Sequence, residues 1–232
     1  QDAIREAARV LGKASAFRDF CDNAIIPNMF GGLEGFATIR QLIDALRKYI
    51  DNYEFVRFGV YLLGNLASTD KVKLKVGIES GIQLILEALE VHNDEIALIK
   101  NVFYSLASLT FNHPINCAFV MASEGIDVTL KTMLKHQSLP DLLDSCLCVL
   151  CNMCHGNDGN KLLIINNNGA PIIVDTVLNN FDQVDVLLSA FRMLGILAFN
   201  SQNVDAIVKV GGVQGIVAGM TVLGENIEVV DV

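Results

Sequence analysis

The sequence predicts an all-α solenoid in which about five helical repeats stack into a right-handed superhelix, the terminal units being incomplete. Three observations predict it. Gly35, Gly81, Gly125, Gly169 and Gly212 each open an aliphatic stretch, at intervals of 46, 44, 44 and 43 residues, and self-similarity at such a period marks a repeat architecture. Between Gly81 and Leu109, Ile82, Ile85, Leu86 and Leu89 and then Ile96, Ile99, Val102, Phe103, Leu106 and Leu109 recur at helical spacing, as the buried faces of two successive helices must. Finally, 52% of residues are apolar but only 7% aromatic, with no Trp. Leu, Ile, Val and Ala must therefore build the interior, which is the composition of stacked helices.

Along the chain, residues 1–34 read as a partial repeat: a helix with Ile4, Ala7, Ala8 and Leu11 on one stripe, then a junction broken by Pro27 and the pair Gly31, Gly32. Repeats follow over 35–80, 81–124, 125–168 and 169–211, and a C-terminal partial unit over 212–232. Each has the same grammar. A helix follows the glycine, and a polar break comes at Asn52, Asn93, Ser138, Asp182 or Asn226. A longer apolar helix and a short closing helix complete the unit. Asn93 is placed to cap the second helix of its repeat, and Asp141 after Ser138 and Asp185 after Asp182 resemble capping boxes. Pro114 suits a first helical turn.

Charge narrows the partners. The net charge is −9, and residues 136–232 hold Lys161, Arg192 and Lys209 against ten acids. That field repels phosphate backbones and favours basic partners, so no nucleic acid is expected. No apolar run reaches the roughly 18 residues of a membrane span; Val208 to Leu223 is interrupted by Lys209, Gln214 and glycines. Four of the six cysteines crowd into Cys146 to Cys154. Disulfide scaffolds space cysteines along loops, so a reduced, intracellular and cytoplasmic setting is expected. The chain opens on Gln1 without Met, which raises the expectation of a trimmed N-terminus where a lipidation signal would lie.

The glycine-led segments ESGIQLILEAL, SEGIDVTLKTML, NNGAPIIVDTVL and VGGVQGIVAGM, with the helix ends YLLGNLAS, FYSLASL, VLCNMC and MLGILAF, resemble the armadillo repeat. The resemblance covers nearly all of residues 35–224. It implies a concave groove lined by the third helix of each unit, counted in the family's order, where an asparagine near each helix end binds the backbone of an extended peptide. The matching positions are Asn65, Ser108, Asn152 and Ile196; an amide donates and accepts at once, and Ile196 departs from the pattern. One turn earlier stand Tyr61, Tyr104, Cys148 and Arg192, where import adaptors of the family carry tryptophan. The lack of Trp argues against an import receptor. A further turn back lie Arg57 and Phe58, Lys100 and Asn101, Asp144 and Ser145, and Ser189. The inferred groove changes from basic and aromatic to small and acidic. Two neutral amide contacts at about 1 kcal/mol each fall short of the roughly 8 kcal/mol of a micromolar complex, so aromatic anchors must supply the difference.

The function expected is a non-enzymatic, monomeric scaffold holding a protein segment in this groove, without cofactor, the partner being basic toward the C-terminal half. One alternative is a lipid-anchored adaptor of the rhoptry type on the cytosolic face of an organelle, membrane-bound only through an acylated segment preceding Gln1. Another is a metal or redox protein using Cys146 to Cys154, where Cys151, Cys154 and His155 match a haem-attachment pattern. Against that, helical geometry sets Cys146 and Cys151 about 140° apart. Lys71, Lys73 and Lys75 read as a solvated short helix.

Overall fold

The computed structural model describes residues 33–228, with side chains over 39–224. Among the described residues all regular structure is helical: α1 (Leu33–Lys48), α2 (Tyr53–Leu66), α3 (Asp70–Ile78), α4 (Gly81–Val91), α5 (Ile96–Thr110), α6 (Pro114–Ala122), α7 (Gly125–Lys135), α8 (Pro140–Cys154), α9 (Asp158–Asn166), α10 (Gly169–Asn179), α11 (Val184–Ala198), α12 (Ser201–Lys209) and α13 (Gly212–Glu228). A triplet of 11, 15 and 9 residues recurs in α4–α6, α7–α9 and α10–α12. The helices form two compact units, Gln1–Ser123 and Glu124–Val232. None of the described helices is singly long and apolar enough to cross a membrane.

In the first unit α2 packs along α5. The interior is built by Ile39, Ile43 and Leu46 of α1, Val60 and Leu63 of α2, Ile82 and Ile85 of α4, and Val102, Phe103 and Leu106 of α5, all buried. The two long helices meet closely because Gly64 carries no side chain: a Cβ there would stand 2.6 Å from Ser105 Oγ and 2.9 Å from Ser105 Cα. Ser105 Oγ in turn donates to the Val60 carbonyl at 2.8 Å. The short helix α6 is tied in by Asn116, fully buried, whose Nδ2 donates to the carbonyls of Leu109 at 2.9 Å and Lys73 at 3.0 Å.

In the second unit α8 packs along α11 and α10 against α11. Leu142, Leu147 and Leu150 of α8 are buried with Ile173 and Val177 of α10 and Leu187, Met193 and Leu194 of α11. Two further buried asparagines repeat the role of Asn116. Asn160 Nδ2 donates to Met153 O at 2.6 Å, and Asn203 Nδ2 to Leu197 O at 3.1 Å. Each amide meets a carbonyl in the last turn of a long helix, where the backbone lacks a helical partner.

The corner glycines have one physical cause. A Cβ on Gly81 would lie 2.8 Å from the Val76 carbonyl oxygen, on Gly169 2.7 Å from that of Ile164, and on Gly212 2.9 Å from that of Ile207. The residue before each corner glycine is left-handed: Ser80, Glu124, Asn168 and Gly211 have φ of 60°, 56°, 57° and 81°. The chain thus reverses from one closing helix into the next opening helix through a single left-handed residue, and the glycine behind it passes against the carbonyl five residues earlier.

Several local expectations need correction. α1 starts at Leu33, so Gly35 lies inside its first turn, and the expected break at Asn226 falls within α13. Residues 1–32, including the expected N-terminal helix, lie outside the described residues. Asn52 does cap α2, its Oδ1 accepting from Phe55 N at 3.1 Å. Asn93 does not cap α5, whose N-cap is Glu95; its Nδ2 donates back to Glu90 O at 3.1 Å. Neither capping box forms. Pro140 at the first turn sets the start of α8 behind Leu139, and α11 starts behind Gln183, leaving Ser138 and Asp182 a residue too early. The lysines of α3 are not one solvated run: Lys73 is buried, its Nζ donating to Phe111 O at 2.6 Å, while Lys75 pairs with Glu79 at 2.6 Å.

Gly169→Ala forces a methyl onto a carbonyl and is expected to lower stability by about 1 to 3 kcal/mol. Gly195→Ala, where a Cβ meets nothing within 4 Å, is expected to raise it by up to about 1 kcal/mol through helix propensity. Equilibrium urea unfolding of the two variants, followed by circular dichroism, measures the opposite signs.

Candidate functional site

The buried positions of α2, α5, α8 and α11 recur in one register: Val56, Ile99, Leu143 and Leu187 are equivalent, as are Leu63, Leu106, Leu150 and Leu194. That register puts Tyr61, Tyr104, Cys148 and Arg192 at one position of the four helices and Asn65, Ser108, Asn152 and Ile196 at the next turn.

In the first unit these residues form one network on α2 and α5. The rings of Tyr61 and Tyr104 stack with centroids 5.4 Å apart, and Tyr104 is 39% exposed. Tyr104 OH donates to Asn65 Oδ1 at 2.8 Å. The acceptor end of the amide is therefore engaged inside the protein, and the free two-way amide expected from the sequence becomes a donor only. Asn65 Nδ2 is buried with no hydrogen-bond partner, and so is Arg57 Nε. The Arg57 guanidinium lies over the Phe58 ring at 4.0 Å and pairs through Nη2 with Glu54 at 2.7 Å. Asn101 Nδ2 donates to Arg57 O at 2.9 Å. Ser108 Oγ bonds back to Tyr104 O at 3.0 Å, and Lys100 is half-buried. Arg57 and Asn65 are eight residues apart, about 12 Å along a helix. The tyrosine pair stands between two N–H groups in need of acceptors, and leaving such a group unsatisfied costs about 1 to 3 kcal/mol.

The second unit carries a different set. Ser189 Oγ donates to Asp144 Oδ1 at 2.5 Å, joining α11 to α8. Ser145 Oγ bonds back to Asp141 O at 3.0 Å. Cys148 and Asn152 are half-buried and Arg192 is exposed. The structure thus gathers Arg57, Phe58, Tyr61, Asn65, Asn101 and Tyr104 into one cluster, while Ser108 and Ser145 satisfy their own helices. The sequence reading missed the Tyr104 to Asn65 bond. It also missed Asn116, Asn160 and Asn203, although their spacing of 44 and 43 residues was a readable signal.

The cysteines pack as small apolar side chains. Cys146 and Cys154 are fully buried, and Cys151 Sγ lies 3.6 Å from Met193 Sδ. Among the described residues no three His, Cys, Asp or Glu side chains are grouped to hold a metal ion. Desolvation pushes the thiol of Cys151 up to about 12 and that of Cys117 to about 11, and drives Cys146 well above the ordinary range. Burial also raises Cys148, helped by Asp144 and opposed by Ser189 and Arg192. A raised folded-state value means that the folded protein keeps a proton which the unfolded chain loses first. The stabilisation is complete below about pH 9 and is lost as pH rises toward the folded value. Urea midpoints are therefore expected to fall between pH 8 and 10.5, with a shallower fall for Cys151→Ala. Equal slopes would show that this thiol is not desolvated.

Comparison with known proteins follows the same lines. Two crystal structures of engineered proteins superpose on the chain with a TM-score of 0.67. One is 20% identical, the match covering 89% of this chain and 76% of that one. The other is 19% identical and covers 89% and 46%, so this chain spans less than half of it. At these identities the likeness concerns fold alone. No curated protein sequence matches. The profile of the GAC ARM domain matches residues 33–211, from the start of α1 to the corner before α13. With three-helix units in register across both halves, the chain is an all-α armadillo-type solenoid and belongs to the GAC armadillo-domain family.

Proposed function

We propose that the chain is a non-enzymatic scaffold that holds an extended segment of a partner protein against the face of α2 and α5. Armadillo-repeat domains generally bind protein partners, and their fold is typically non-enzymatic. The observation that carries the reading here is the pair of buried, unpartnered donors, Arg57 Nε and Asn65 Nδ2, flanking the stacked, solvent-reaching Tyr61 and Tyr104. Carbonyl oxygens of an extended chain satisfy both donors, and a side chain laid on the tyrosines supplies the anchor. Burying an aromatic anchor is worth about 2 kcal/mol or more, which the two amide-type contacts alone do not reach. Arg57 and Lys100 favour a neutral or acidic segment at this face, whereas the acidic excess over residues 136–232 favours basic residues where a partner meets the second unit. Cys148, Asn152 and Arg192 are the contacts proposed there.

The test is the double variant Tyr61→Ala with Asn65→Ala. Proximity labelling in cells identifies the partner of the unaltered chain, and calorimetry with that purified partner measures affinity. At least a tenfold loss with unchanged helicity is expected. Unchanged affinity would remove this face from the binding site.

A further inference from the structure

The exposed stripe of α13 is a buried stripe displaced into solvent. Val213, Val217 and Met220 are 50%, 59% and 61% exposed, yet the equivalent residues of α10, Ala170, Val174 and Val177, are 2%, 2% and 0% exposed. The equivalents in α7 are Ile126, Leu130 and Met133, all buried, so residue type and register are both kept. Within the second unit α11 packs against α10 and also against α8. α13 stands to α11 as α10 stands to α8, and it packs on both α10 and α11. The described residues place no helix against α13 and α11 in the position that α11 takes against α10 and α8. α11 is open on the same side: Leu188 is 51% exposed and Gly195 and Ala198 are exposed. The equivalents of the last two, Cys151 and Cys154, are buried in α8.

From this internal template we infer that α11 and α13 form a groove that receives a single amphipathic helix from a partner protein, seated as α11 is seated one repeat earlier. The groove continues the apolar interface already running between α10, α8 and α11, which specifies the occupant. α11 meets that interface through Val186, Leu187, Ala190, Met193, Leu194 and Leu197, so the incoming helix carries apolar residues at i, i+1, i+4, i+7, i+8 and i+11. The surroundings specify its rim. Residues 136–232 hold ten acids against three bases, so the exposed positions of the helix are basic. This surface is separate from the α2 and α5 face, and it stands or falls independently of the function proposed for that face.

The probe is a fluorescein-labelled peptide of the α11 segment, Asp182–Asn200, carrying Asp182→Lys and Asp185→Lys. It is titrated with the 232-residue chain and followed by anisotropy. Saturable micromolar binding is expected, at least tenfold weaker for Val217→Glu and unchanged for Ile78→Glu, an exposed apolar position of the first unit. Both variants change exposed side chains, and circular dichroism checks that each is folded. A scrambled peptide of the same composition is expected not to bind. No saturable binding, equal binding of the scrambled peptide, or indifference to Val217→Glu each overturns the proposal. So does a concentration-dependent dimer in sedimentation that Val217→Glu abolishes, since the groove would then belong to a second copy of the chain.

Discussion

The close passage of a glycine against the carbonyl five residues earlier is the constraint on which the rest depends. At Gly81, Gly169 and Gly212 the space for a Cβ is already filled by the oxygen of Val76, Ile164 or Ile207. The left-handed residue in front turns the chain, and the glycine lets the new helix lie against the old one. Because the turn is the same each time, the second helix of each unit begins from the same place and shows the same residues inward. The register that aligns Tyr61 with Tyr104 and Asn65 with Ser108 is a consequence of that corner.

Close packing of backbones leaves polar groups that must be satisfied inside. Asn116, Asn160 and Asn203 answer the carbonyls at the ends of α5, α8 and α11, and Lys73 answers that of Phe111. These side chains complete the backbone hydrogen bonding where a helix stops short of another. Against that background the two donors of the α2 face differ: Arg57 Nε and Asn65 Nδ2 are buried and unmatched, on the side where the tyrosines reach solvent. Satisfied amides hold the units together, and unsatisfied ones give a partner something to complete.

Most of the fold was legible because its cause is local and repeats. A glycine whose Cβ would strike a carbonyl admits little else, and apolar stripes three and four residues apart have few readings. What could not be read depends on neighbours distant in sequence. The left-handed corner is filled by Ser80, Glu124, Asn168 and Gly211, which share no chemistry that a sequence would flag. Lys73 looked solvated because its acceptor is the carbonyl of Phe111, 38 residues on. The amide of Asn65 looked free because its acceptor is engaged by Tyr104, 39 residues on. The capping boxes were misplaced by a single residue, enough to take an oxygen out of reach of the amide it should meet.

The corner can be tested at the residue in front of the glycine. Ser80 sits at φ 60°, where a β-branched side chain is strained and glycine is at ease, a difference of about 1 to 2 kcal/mol. Equilibrium unfolding of Ser80→Gly and Ser80→Val measures it directly. The account predicts that the glycine variant is at least as stable as the parent and the valine variant clearly less so. Equal stability of the two, or a loss on introducing glycine, would contradict a left-handed turn as the element that sets the repeat.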